Sequence, residues 1–141
     1  MKTFLLLCFI LAIASPLAYS QCEAQGGPTT LLQVLANPQK YDGQKLLVIG
    51  FLHLEFEGDG LYLHKEDFDN AIVGNVIWVD VSPEMKKRFS QINDKYVVIS
   101  GTFDANSHGH MDLFSGTLNN ITRCDVWQSF KERQKRLRTK R

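Results

Sequence analysis

A single helix-start signal, Ser82-Pro83-Glu84, stands between two blocks of β-type alternation, and its position constrains the fold more than any other feature of the chain. A Ser at the N-cap accepts a backbone N–H that the first helical turn leaves unpaired. Pro suits the first helical position, and Glu in the first turn is favoured by the helix dipole. The pattern predicts one helix from Pro83 to about Gln91.

Ahead of that helix lie three strand-like runs. In the first, Leu46, Val48, Leu52, Leu54 and Phe56 share one face, with Gly50 among them as a bend. The other face is apolar at Leu47, Ile49 and Phe51, then polar at His53, Glu55 and Glu57. Such a strand is expected to be buried on both sides early and on one side late. Gly58-Asp59-Gly60 makes a tight hairpin into a second run, Leu61 to His64. Residues 65–75 read as a polar connection, and Val76–Val81 as the third strand.

Past the helix, Asn93-Asp94 turns the chain into Tyr96–Phe103, interrupted by Gly101. A loop rich in Asn, Ser and Gly covers Asp104–Gly109, and Met111–Ile121 is the fifth strand, bulged at Ser115-Gly116. Upstream, Thr29 or Thr30 caps a short helix through Leu31, Leu32, Val34 and Leu35, which Asn37-Pro38 stops. The order β-β-β-α-β-β defines the expected class: all-β with one to three short helices, closed as a five-stranded OB-fold-like barrel. A pleckstrin-like or split-barrel topology shares the strand count but puts the helix elsewhere.

The chain ends carry separate signals. Lys2 and the apolar run Phe4–Ile13, with Pro16 and Ala18-Tyr19-Ser20 before Gln21, have the layout of a signal peptide over residues 1–20. The expectation is therefore an exported protein, periplasmic or secreted. Gln21 ahead of Cys22 argues against a lipoprotein, because a lipidated Cys normally follows Gly, Ala or Ser. Without Cys8, the remaining Cys22 and Cys124 form an even pair in an oxidising compartment and predict one disulfide. Residues 21–125 are expected to form the barrel domain and 126–141 a basic C-terminal tail.

Charge sharpens the functional reading. Residues 131–141 hold seven Lys or Arg and one Glu, whereas 21–130 hold eight basic and fourteen acidic residues. An acidic body repels phosphates, which argues against nucleic acid as a ligand for the barrel, while the tail can contact an anionic surface. The stretches Leu35–Gly50, Phe56–Tyr62, Asn75–Asp80 and Gly101–His110 resemble those of small exported bacterial proteins with OB-fold-like barrels of the nucleic-acid-binding type. The resemblance covers roughly residues 31–123 and implies a fold and a compartment. It implies no catalytic residue.

In an OB-fold the ligand surface is the face of strands 2 and 3, flanked by the loops 1–2 and 4–5. The strand phases put His53, Glu55, Tyr62, His64, Trp78 and Asp80 on the non-core face, where Tyr62 and Trp78 offer flat rings for stacking. A protein, peptide or glycan that is neutral or cationic fits this charge best, bound without catalysis and without a cofactor. An alternative is a metal-dependent hydrolase using His108, His110 and Asp104, since imidazole suits zinc, copper or nickel. Another is an envelope structural or assembly protein tethered by its basic tail. No phosphate loop, nucleophile elbow or paired-His zinc helix occurs in the sequence. Outside the tail the only arginines are Arg88 and Arg123, too few for a nuclease-type phosphodiester site.

Overall fold

The computed structural model describes residues 29–139. The expected signal peptide and Cys22 lie outside them. Five strands close into a barrel in the order β1-β2-β3-β5-β4. Their spans are β1 Lys45–His53, β2 Gly60–Tyr62, β3 Val76–Val79, β4 Lys95–Asp104 and β5 Thr117–Val126. All neighbouring pairs are antiparallel except β3 and β5, which run parallel over Trp78↔Thr117 and Val79↔Leu118. The barrel is OB-fold-like, as the strand order predicts.

Alternation explains the interior. Leu46, Val48 and Leu52 of β1 meet Leu61, Ile77, Val79, Val97, Ile99, Phe103 and Leu118 from the other strands, all buried. Burying a side chain of this size is worth about 1.5–3 kcal/mol relative to leaving it in water. Gly50 faces inward where β1 crosses β2, and a Cβ there would stand 2.7 Å from the Tyr62 carbonyl oxygen. Only a residue without a side chain lets the strands bend that closely. The register shift of the β4–β5 pair falls at Gly101, between Ser100 and Thr102.

Helical caps close the ends. Thr30 begins α1 (Leu31–Ala36) with a reciprocal capping box: its hydroxyl accepts from the Gln33 N–H while Gln33 Oε1 accepts from the Thr30 N–H. Leu31 and Val34 are buried against the barrel. Pro38 opens a further turn, α2 (Pro38–Tyr41). Between β3 and β4 the single expected helix is two. Ser82 caps α4 (Pro83–Lys87), and a break at Arg88 precedes α5 (Phe89–Ile92). The break lets Met85 and Ile92 both face the core, while Arg88 Nη1 donates to the Cys124 carbonyl at 2.9 Å.

Several expectations need correction. The first strand ends at His53, so Leu54 is buried but Phe56 projects into solvent, 92% exposed. The doubly buried part of β1 is its end, since Phe51 is buried while Leu47 and Ile49 are exposed. The cause is the 65–75 segment, which contains a helix, α3 (Lys65–Asp69), that lays Phe68 over Phe51 and Tyr62. The fifth strand starts at Thr117, six residues later than expected, and runs on to Val126. Cys124 is a buried free thiol, so the expected disulfide is not formed at this position, and Cys22 falls outside the described residues. Beyond β5, the Trp127 N–H donates to the Tyr96 carbonyl, and Ser129 starts α6 (Phe130–Thr139) with a Ser129–Glu132 capping box.

Candidate interaction site

The outer wall of β1, β2 and β3 is where sequence reasoning places a ligand, and the chain itself covers much of it. Tyr62 is buried, with the Phe68 ring edge-on at 5.4 Å. Burial, and then the Glu55 charge, push its phenol above the ordinary value. Trp78 is half-buried, edge-on to Phe114 at 5.0 Å. The backbone of Gly109 lies on the same indole, where a Cβ would come within 2.6 Å of the ring.

His53 is held on three sides. Its Nδ1 is 2.6 Å from Asp94 Oδ1, its Nε2 is 3.5 Å from Glu55 Oε2, and its ring stacks on Phe68 at 4.0 Å. His64 is exposed at the start of α3, where its N–H donates to Asp67 Oδ2 at 2.8 Å. Asp80 is exposed after β3, its N–H donating to the Leu118 carbonyl. The structure thus joins His53, Glu55 and Asp94 in one cluster and leaves His64 and Asp80 apart from it.

The His108/His110 loop does not converge either. His108 Nδ1 donates to the Phe114 carbonyl at 2.8 Å, which fixes that nitrogen as the protonated one because a carbonyl only accepts. His110 Nε2 points instead at Glu57 Oε2, 3.5 Å away. Asp104 Oδ1 accepts the Asn106 N–H two residues on. Among the described residues, no three of His, Cys, Asp and Glu are arranged to hold a metal ion.

What the loops do build is a rim. The His110–Glu57 contact joins the β1–β2 loop (residues 54–59) to the β4–β5 loop (residues 105–116). The longer loop is anchored at both ends. Ala105 N–H donates to Asp42 Oδ1, Thr117 Oγ1 donates to the Ser107 carbonyl, and Ser115 N–H donates to the Val76 carbonyl. Next to the contact residues stand Phe56, Met111 and Leu113, which are 92%, 74% and 52% exposed. The two loops, with Asp104 at the end of β4, carry Glu55, Glu57, Asp59, Asp104 and Asp112 and no Lys or Arg. Asp59 is partly withdrawn from water, and this burial raises its carboxyl above 3.8 against the opposing pull of a hydrogen bond from the Glu55 backbone and of the Lys86 and His53 charges, the Glu55 carboxylate adding a little to the rise.

The rim is hidden in the sequence because strand phase puts Phe56 inward and the spacing of Met111 and Leu113 reads as a strand. A signal was present: Phe56 sits in Glu55-Phe56-Glu57-Gly58-Asp59, where acids on both sides and a turn glycine argue for a loop. No protein-family profile matches the chain, and no curated protein matches it.

Proposed function

We propose that this protein is a non-catalytic binding barrel of the cell envelope that captures a polypeptide partner at the rim of loops 54–59 and 105–116. The observation that carries the reading is the presentation of Phe56, Met111 and Leu113 to solvent on loops joined by the Glu57–His110 contact. Large apolar side chains held out on a cross-braced support are typical anchors of protein interfaces. The surrounding carboxylates favour a partner segment that combines apolar and basic residues, and disfavour phosphate-bearing ligands. His53, Tyr62 and Trp78 then serve as the foundation of the rim, since their rings are already packed against Phe68, Phe114 and Gly109. Action outside the cytoplasm rests on the signal-peptide pattern of residues 1–20.

The test is site-specific photo-crosslinking in intact cells, with benzoylphenylalanine replacing Phe56, Met111 or, as a control on β5, the exposed Thr122. Discrete adducts from positions 56 and 111 and none from 122 support the reading. Equal labelling from all three positions, or none from any, refutes it.

A further inference from the structure

Among the described residues, helix α6 is a second unpartnered surface. No residue of it is buried, and Phe130 and Leu137 are 69% and 68% exposed. Seven residues apart is nearly two helical turns, so these two side chains share a face. Trp127, just ahead of the helix, is half-exposed with the Arg133 guanidinium over its ring. The helix holds Lys131, Arg133, Lys135, Arg136 and Arg138 against the single acid Glu132, a net charge of +4. Residues 29–129 hold eight basic and thirteen acidic residues, a net charge of −5. One molecule thus exposes apolar side chains on loops rich in carboxylates and, elsewhere, an apolar pair set among cations.

We infer that α6 of one copy docks on the rim of a second copy, Phe130 and Leu137 against Phe56, Met111 and Leu113, with the basic side chains facing Glu57, Asp59 and Asp112. The inference rests on the proposed function of the rim and names its partner as another molecule of this chain. Each copy carries one helix and one rim, so two copies can exchange helices in a closed dimer or the contact can run on as a ring or a filament. Charge complementarity makes it salt-sensitive, because exposed pairs are screened over about 8 Å at physiological ionic strength.

The experiment uses the protein expressed from the full sequence and examined by sedimentation velocity. The helix variant carries Phe130→Asp and Leu137→Asp; the rim variant carries Phe56→Asp and Met111→Asp. Circular dichroism and melting check that each folds. Wild-type protein should self-associate with concentration, about tenfold more weakly when salt rises from about 0.05 to 0.3 M. Each variant alone should be monomeric. An equimolar mixture should give a 1:1 heterodimer that grows no further, because only one intact helix and one intact rim remain. A monomeric wild type, a mixture that stays monomeric, or a helix that binds vesicles of anionic lipid without self-association would each overturn the inference.

Crosslinking at position 56 separates this failure from that of the underlying reading. Adducts of the chain with itself, mapping to residues 130–139, support the inference. Adducts with a different protein alone overturn it while the binding role of the rim stands, and their absence overturns both.

Discussion

Replacing Phe68 by Ala tests whether the outer wall is closed by the chain itself. The ring lies 6.0 Å from Phe51, 5.4 Å from Tyr62 and 4.0 Å from His53, so its removal uncovers three side chains at once. A fully buried Phe→Ala change costs about 3–5 kcal/mol, and Phe68 is only half-buried, which points to about 2 kcal/mol. With an unfolding entropy of about 2.1 cal/mol/K per residue over some 110 residues, that is a fall of roughly 9 °C in melting temperature. Phe56→Ala, at a site 92% exposed, should cost less than about 0.5 kcal/mol. Thermal and urea denaturation of the two variants beside wild type give the comparison. Equal melting temperatures for Phe68→Ala and Phe56→Ala would refute the account, for the wall would then be open and the phenylalanine merely resting on it.

Trp78→Ala should destabilise by about 2–3 kcal/mol, as removal of a half-buried ring under Phe114 and Gly109 requires; a melting curve unchanged from wild type would return Trp78 to the ligand-facing surface. Burial raises the Asp59 carboxyl above its unfolded value of 3.8, so the charged form weakens the fold above the raised value and the deficit fades as pH falls toward 3.8. Asp59→Asn should accordingly melt higher than wild type at neutral pH, with the gap closing in acid; a gap independent of pH refutes the assignment. Burial pushes the Cys124 thiol up to about 11, and with so little thiolate its alkylation by iodoacetamide at pH 8 should be about a hundredfold slower than that of free cysteine until denaturant is added. Rapid native labelling, read by mass spectrometry, would place the thiol at the surface.

Much of the barrel can be read from the residues because strand order and the Ser82-Pro83 start are local signals with few alternatives. Leu46, Val48 and Leu52 alternate cleanly and are buried as their spacing predicts. The site is less legible because it depends on what covers what. Phe68 lies in Lys65-Glu66-Asp67-Phe68-Asp69, a segment whose composition reads as a polar connection, and no periodicity shows that its one aromatic ring folds back onto β1 and β2. Met111 and Leu113 alternate as a strand would, yet the backbone at Met111 and Asp112 is left-handed, with φ of 54° and 60°, which ends any ladder there. The break at Arg88 is likewise a tertiary effect, tied to the guanidinium reaching the Cys124 carbonyl and, at 3.6 Å, the Asp125 carboxylate.

The parallel β3–β5 pairing has a kinetic corollary. Two matched residue pairs, with bonds from Trp78 N–H to the Gly116 carbonyl and from Asp80 N–H to the Leu118 carbonyl, form the shortest join in the wall. Fluctuations should part the cylinder there first, and amide hydrogens along that line should exchange ahead of those in the long β1–β4 ladder. Because Ser115 hangs from Val76 beside the same join, each such opening would carry the 105–116 loop with it, giving a small rigid cylinder one built-in hinge.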